Sequence, residues 1–329
     1  MNNNTDDFNN LLENLIAFSP KPDDDDLYVP SSQTPSSDPC SSAPLPSDFV
    51  VFSQNTHKRN STTHAILQIA SSLSLPADLI LIQEPHFGRI GVNTGMAQGN
   101  PIYDVHGCPK HQDWQAIIPP FPPSLGNPDI IAYVPNRRVN WTFQLRTDLV
   151  SAPGLMCLQI DSTSPSFLIF NIYNNVDNSA CNLLASLPPL IPHSMFIGDF
   201  NLHHPPWSRD DNLDKQSDEA NRLVDLMAEN GFSILNPPGE DTFTVYRTRH
   251  DGSGHELYTS TLDLAWTSPE LIHYILDFQV TKHLCNGSDH FPLLATISYT
   301  PSQSTRTAFT FKEEHFADWA DTFQFNLDN

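Results

Sequence analysis

From Asp48 onward, short apolar runs alternate with polar breaks along the chain. "FVVFSQN", "DLILIQEP", "DIIAYVP", "VNWTFQL", "LMCLQI", "FLIFNIY", "SMFIGDF", "TLDLAW" and "FPLLATI" have the length and the β-branched, aromatic composition of buried strands. Two stretches change period. "STTHAILQIASSL" places Ile66, Leu67, Ile69, Ala70 and Leu73 at helical spacing behind Ser61 or Thr62 as a cap, and Gln216–Gly231 gathers Leu223, Leu226 and Met227 on one face before a stop at Gly231. The stretch from Thr242 to Asp263 has β-type ends around a Gly-rich polar centre and reads as a hairpin. Many strands with few helices predict two packed sheets flanked by helices, a layered α/β or α+β body.

The pattern fades at both ends. Residues 1–47 include "PKPDDDDLYVPSSQTPSSDPCSSAPLPS", too poor in apolar side chains to offset the entropy of ordering, so a disordered acidic Pro/Ser-rich lead-in is expected. A folded domain is expected over 48–300. In 301–329, a C-terminal linker and helix, Phe316, Trp319, Ala320 and Phe323 fall at helical spacing.

Composition narrows the function. The longest apolar runs are far shorter than the roughly 20 residues of a membrane span, and "MNNNTDDFNN" is neither basic nor apolar. A soluble, unsecreted, intracellular protein is expected. Five scattered cysteines without a CxxC pair suggest buried thiols rather than disulfides or a zinc site. The net charge is −22. Residues 1–48 hold nine carboxylates against Lys21 alone, a net of −8, and the remaining −14 lies on the rest. Binding a polyanion would require local positive charge or bound cations.

Several strand candidates end in polar residues that packing does not require: Asn55, Glu84, Tyr173, Asp199 with Asn201, Asp263, and Asp289 with His290. Singly, each has an ordinary explanation, since Asn and Asp end strands by favouring turns. Together they form a coherent set. Glu84, Asn55 and Asp289 are hard oxygen donors of the kind Mg²⁺ prefers. Asp199 is a candidate base for a water molecule that Asn201 could hold. His290 beside Asp263 would be an oriented, positively charged imidazole facing a phosphate. These are the parts of metal-assisted phosphate-ester hydrolysis.

"LIQEP", "GDFN", "TLDL" and "SDH", in this order, resemble the endonuclease/exonuclease/phosphatase superfamily of deoxyribonuclease I and the abasic-site endonucleases, over roughly Val50 to Tyr299. "GDFNLHHPPW", then "LNPPGEDTF", then "STLDLAW" is similar more narrowly to the endonuclease domain of LINE-type non-LTR retrotransposons. The resemblance implies a four-layered α/β sandwich, two mixed sheets flanked by helices, and a divalent-metal nuclease that nicks DNA to leave a 3′-hydroxyl. It makes Glu84 the main Mg²⁺ ligand (Mn²⁺ being the alternative ion), assisted by Asn55 and Asp289. It makes Asp199 the activator of water, Asn201 its positioner, and His290, held by Asp263, the stabiliser of the transition state. Tyr173 and Thr242 would contact or orient phosphate and its neighbours. No expected member is missing, which argues against a decayed copy.

In retrotransposon endonucleases the matching hairpin probes target DNA. Here it carries Arg247, Arg249, His250 and His255, and with Lys58 and Arg59 beside Asn55 it offers local positive charge. The same residues also read as ordinary surface arginines on a solvated hairpin. DNA is the expected partner, with a nuclear site of action expected from function although no basic import cluster is present. No reverse-transcriptase motif is visible, so the chain reads as a piece of a longer element protein or a stand-alone descendant. Two rival readings remain: a phosphoesterase of the same fold on a small phosphorylated substrate, and a non-catalytic relic that binds DNA or protein. The histidines of "HHPPW" are adjacent, so their side chains would diverge, and they are expected to shape the loop rather than hold a metal.

Overall fold

The computed structural model of the chain describes residues 48–298 except positions 75, 94–102, 121–126, 138–140, 151, 162–165, 176, 178, 186, 188–191, 209–215, 250–252 and 285. The expected lead-in over 1–47 and tail over 301–329 lie outside the described residues. In chain order the elements are β1 (Asp48–Asn55), α1 (Asn60–Ser72), β2 (Leu79–Gln83), β3 (Gly88–Asn93), β4 (Tyr103–Gly107), β5 (Trp114–Ile117), β6 (Ile130–Pro135), β7 (Thr142–Leu145), β8 (Leu155–Asp161), β9 (Phe167–Tyr173), α2 (Ser179–Leu184), β10 (Ser194–Asp199), α3 (Asp218–Glu229), β11 (Ser233–Ile234), β12 (Phe243–Thr248), β13 (His255–Ser260), β14 (Asp263–Thr267), β15 (Ile275–Val280) and β16 (Leu293–Ser298).

The strands form two six-stranded mixed sheets, ordered β15-β16-β1-β2-β6-β5 and β11-β14-β10-β9-β8-β7, with β12-β13 and β3-β4 as separate hairpins. The alternation of side chains along each strand sorts them into layers. Phe49, Val51, Leu79 and Leu81 of the first sheet pack against Ile169, Met195, Ile197 and Ala265 of the second. The intervening Val50, Phe52, Ile80 and Ile82 turn outward onto Ile66 and Leu67 of α1. Phe170 and Phe196 turn outward onto Leu223 and Met227 of α3, together with Ala180 and Leu184 of α2. The result is the four-layered sandwich expected: helix, sheet, sheet, helices.

Amide side chains join the sheets at the top of this inner layer. Gln83 and Asn171 follow the inward parity of their strands, and Gln83 Nε2 donates to Asn171 Oδ1 at 2.6 Å. Asn171 Nδ2 donates in turn to the main-chain oxygens of Ile82 (3.2 Å) and Ile131 (3.0 Å). Both amides are fully buried.

Sequence reading places the long strands and both longer helices correctly and misses shorter elements. β3 and β4 lack a clear alternation. In β15 a register shift between Ile275 and Asp277 disguises the period. The predicted cap of α1 is corrected. The chain turns through left-handed His57 and Lys58, so the helix already begins at Asn60, with Arg59 as N-cap and no side-chain cap bond; Ser61 and Thr62 lie in its first turn. Thr63 instead donates its hydroxyl to the Arg59 carbonyl at 3.2 Å. By contrast α3 is capped as its sequence suggests: the Ser217 hydroxyl accepts from Ala220 N–H, with Asp218 and Glu219 in the first turn. Cys108, Cys157 and Cys181 are free and buried. Among the described residues, no helix is long and apolar enough to cross a membrane.

Gly198 precedes Asp199 on β10 with φ 143°, and a Cβ there would lie 2.1 Å from the Ile172 carbonyl oxygen of β9. Gly198→Ala therefore forces β9 and β10 apart at the end that carries Asp199. Urea unfolding should show a loss on the order of 3 kcal/mol, from positive-φ strain plus displaced backbone; a midpoint equal to the parent's would refute the close approach.

Candidate active site

Strand direction brings the polar ends together. β1 runs parallel to β2 and β9 parallel to β10, so Asn55, Glu84, Tyr173 and Asp199 all follow or close the C-terminal ends of their strands. β14 and β16 run antiparallel to β10 and β1 and contribute their starts, where Asp263 and the Ser288–His290 segment lie. Asp199 is opposite Tyr173 on one side and Asp263 on the other. Parity then aims them: Asn55, Tyr173, Asp199 and Asp263 continue the inward faces of their strands. Glu84 would point outward by parity, but its left-handed backbone (φ 44°) breaks the alternation, and its carboxylate accepts the Tyr173 hydroxyl.

Asp199 is 1% exposed. Its Oδ2 accepts from Asn55 Nδ2 at 2.8 Å, its Oδ1 accepts from Asn201 N–H at 3.0 Å, and His290 Nε2 stands 4.0 Å away. Burial drives its pKa up to about 7, against the opposing influence of His290, with Asp263 adding to the rise and the Asn55 hydrogen bond restraining it. His290 is also buried. Its Nδ1 meets Asp263 Oδ2 at 2.8 Å and Oδ1 at 3.1 Å; because a carboxylate only accepts, Nδ1 carries the proton and Nε2 faces Asp199. Burial disfavours the imidazolium, but the carboxylates of Asp263, Asp199 and Asp289 outweigh it and raise the pKa to about 9.

The supporting contacts are equally specific. Thr242, fully buried, accepts the N–H groups of Leu262 and Asp263 on its hydroxyl, each at 2.9 Å, so it fixes the main chain at the start of β14, where Asp263 lies. Ser288 donates its hydroxyl to the Asn55 carbonyl at 2.7 Å and accepts His290 N–H at 3.1 Å. Asn201 adopts φ 53°, and its Nδ2 donates to Asn174 O at 3.2 Å. Asn174, buried, ties the loop from β9 by donating its N–H to Asp199 O and its Nδ2 to Phe200 O. Sequence reading passed over Asn174, Ser288 and the Gln83–Asn171 pair. Their one visible trace is an amide or hydroxyl interrupting or ending an apolar run.

The proposed cation ligands divide. Asp289 Oδ1 is buried without a partner, while Oδ2 is 3.3 Å from His57 Nδ1. Asp289 meets His57 and Glu84 meets Lys58 of the same turn after β1, and an orphaned carboxylate oxygen with the Glu84 carboxylate offers the hard-oxygen donors a divalent ion requires. Asn55 has its Oδ1 accepting His57 N–H at 2.8 Å and its Nδ2 donating to Asp199, so here it braces the Asp199 carboxylate. Asp199, Asp263 and His290 are also spaced closely enough to hold an ion, but the short Nδ1 contacts to Asp263 fill that space with a proton.

The "HHPPW" loop is a packing device. Trp207 is fully buried, donates Nε1–H to Leu202 O at 3.0 Å, and meets Trp266 edge-on at 6.0 Å. His204 Nε2 pairs with Asn221 Oδ1 of α3 at 3.1 Å, and burial lowers its pKa to about 4, leaving it neutral. His203 Nδ1 lies 3.2 Å from the Ser260 hydroxyl. On the hairpin, Arg247 stacks 3.8 Å over the Tyr258 ring and Arg249 stands 3.9 Å from Glu256. Arg59 donates to Gly287 O, and Lys58 N–H to Glu84 O at 2.7 Å, so the basic turn after β1 is tied to both neighbouring site loops.

This fold is similar to that of solved nucleases. The endonuclease domain of TRAS1, a telomere-specific non-LTR retrotransposon, superposes with a TM-score of 0.57 at 16% identity, over 78% of this chain and all of that one. The AP endonuclease LMAP from Leishmania major gives 0.49 at 14% identity over 77% and 88% of the two chains, and the Xenopus laevis APE2 catalytic domain 0.48 at 13% over 81% and 98%. No curated protein matches in sequence. Residues 167–294, from the first residue of β9 into β16, match the endonuclease-reverse transcriptase family model.

Proposed function

We propose that the chain is a divalent-metal-dependent phosphodiesterase that nicks DNA and leaves a 3′-hydroxyl. The observation that carries the reading is the buried Asp199–His290–Asp263 arrangement at the common end of two sheets. A carboxylate raised toward neutrality accepts a proton at physiological pH, and an imidazolium held 4.0 Å away supplies positive charge where a phosphorane develops negative charge. Asp199, braced by Asn55 and by the Asn201 N–H, takes a proton from the attacking water. The water oxygen forms a bond to phosphorus, the P–O3′ bond breaks, and the departing O3′ takes up a proton. His290 Nε2–H faces the phosphoryl oxygens while Asp263 holds its other nitrogen. Glu84 and Asp289 would hold a divalent cation, which would supply Lewis-acid polarisation of the phosphoryl group, and the Tyr173 hydroxyl fixes the Glu84 carboxylate.

DNA as substrate is supported by the hairpin β12-β13, which carries Arg247 and Arg249 and exposes Tyr246 and Leu257. Lys58 and Arg59 add cations beside Asn55. A reverse-transcriptase domain as a covalent or separate partner, and a nuclear site of action, follow from the same reading. The net charge of −22 favours one alternative, a small phosphorylated substrate; phosphomonoesters assayed beside plasmid DNA distinguish the two.

Supercoiled plasmid should be converted to open circles with Mg²⁺ or Mn²⁺, and chelation should stop it. Asp199→Ala and Glu84→Ala should each lower the rate at least about 100-fold, the scale of one acid–base contribution; a parent that nicks nothing with either ion, or an Asp199→Ala variant as active as the parent, refutes the reading. The pH profile provides a second check. Nicking requires ionised Asp199 and protonated His290, so the rate should rise as pH passes about 7 and fall beyond about 9. Asp263→Asn removes the strongest support of the imidazolium and should move the alkaline limb to lower pH, whereas an unmoved limb would show that His290 is not the titrating acid.

A further inference from the structure

A cleft of about 330 Å³ opens beside Glu84, at the small end of the range for ligand sites. Its apolar walls are Pro85, Phe87 and Pro128, and its polar groups include Lys58, His86 and Asp129. Apart from Lys58, none of these side chains was singled out by its sequence. The cleft is tied to the reacting centre through Glu84 itself, whose N–H donates to Asp129 O at 2.9 Å and whose carbonyl accepts Lys58 N–H at 2.7 Å. Asn127 Nδ2 reaches across to Phe87 O at 3.4 Å, linking the two walls.

The polar groups select the occupant. His86 Nδ1 faces the Lys58 carbonyl at 3.2 Å, which can only accept, so a neutral ring presents Nε2 as an acceptor. The Asp129 carboxylate is half-buried and receives no hydrogen bond from a described residue. Burial raises its pKa, Lys58 lowers it and Glu84 raises it. A phosphate placed there would meet a carboxylate, an unfavourable pairing. A flat ring with N–H groups on its edge would stack on the rigid apolar walls and satisfy the acceptors, while Lys58 remains free for an adjoining phosphate.

We infer that this cleft binds one unstacked nucleobase of the strand being cut, a base that offers amino or imino N–H groups to Asp129, and that Asp129 thereby sets base preference next to the nick. The inference rests on the phosphodiesterase reading above. It adds a specificity-determining residue outside the acid–base machinery.

Two arms test it on the full chain with Asp129→Asn, an isosteric change that leaves the Asp129 carbonyl bond to Glu84 in place. In the first, a duplex library randomised around a nick site is cut and the ends are sequenced. The parent should discriminate at one adjacent position by at least about fivefold, the low end for one good base contact, and the variant should lose or redirect that preference, its rate on the favoured sequence falling toward its rate on the others. A superimposable preference profile would overturn the inference. The second arm needs no cutting: the four deoxynucleoside 5′-monophosphates and deoxyribose 5-phosphate are titrated while backbone amide resonances of Lys58 and Phe87 are followed. Shifts with the nucleotides, absent with the bare sugar phosphate and weakened in the variant, support the cleft even if no DNA is nicked, in which case only the nuclease reading falls. Nicking without such shifts and with unchanged preference removes the inference alone.

Discussion

The hydrogen bond between Gln83 and Asn171 fixes the relation on which the site depends. It spans two sheets whose inner layer beneath it is held by apolar packing, and such packing resists separation far better than it resists sliding. A 2.6 Å amide contact in a fully buried layer is directional, and breaking it would leave polar groups unsatisfied at a cost of about 1–3 kcal/mol each. Asn171 also donates to the main chain of β2 and β6, so it locks the backbone of the opposite sheet as well as one side chain. Glu84 follows Gln83 directly, and Tyr173 lies two residues beyond Asn171. The clamp therefore sets how the Tyr173 hydroxyl meets Glu84 and how Asn55 of one sheet reaches Asp199 of the other.

Above the clamp, local strain replaces regular pairing. His57, Lys58, Glu84 and Asn201 all have positive φ without being glycine, an arrangement that costs on the order of 1–3 kcal/mol per residue and persists only where surroundings enforce it. The enforcement is visible: Lys58 N–H on Glu84 O, the Asn55 side chain on His57 N–H, and Asp199 Oδ1 on Asn201 N–H. The buried charges follow the same logic. Asp199 and His290 would each be expensive alone, and they coexist because Asp263 stabilises the imidazolium, which in turn limits the cost of ionising Asp199.

Much of this was legible in the sequence because parallel strands buried on both faces read as unbroken apolar runs, so their polar ends stand out. Asn55, Glu84, Tyr173, Asp199 and Asp263 are such ends, and the structure brings them to one edge. What could not be read is what depends on pairing between distant segments. Nothing local in "LILIQ" or "FLIFNIY" says that Gln83 and Asn171 face each other, nor that Thr242 accepts the N–H of Asp263, nor that Asn55 would brace Asp199 with the amide assigned to a metal. The cleft beside Glu84 escaped for the same reason, as its walls come from three separated segments with no shared motif. Short elements such as β3 and β15 escaped for a different one, since glycine or a bulge erased their period.

The acidity of the chain, at first sight adverse to a polyanionic substrate, takes on a different meaning once its cations are placed. Arg137, Arg146, Arg222 and Lys282 are each held by a carboxylate, Asp78, Asp148, Glu219 and Glu240 respectively, and so contribute little net field. Lys58 and Arg59, beside Asn55, and Arg247 on the hairpin form no ion pair among the described residues. Lys58 and Arg59 are tied to the rim by main-chain bonds, and Arg247 lies over an aromatic ring. Positive charge is thus left uncommitted on the site turn and on the exposed hairpin, against a negative background that repels phosphate elsewhere. Screening over about 8–10 Å at physiological salt confines each contribution to its neighbourhood. A strand of nucleic acid would be admitted by local charge at the site while the surrounding surface discourages indiscriminate binding.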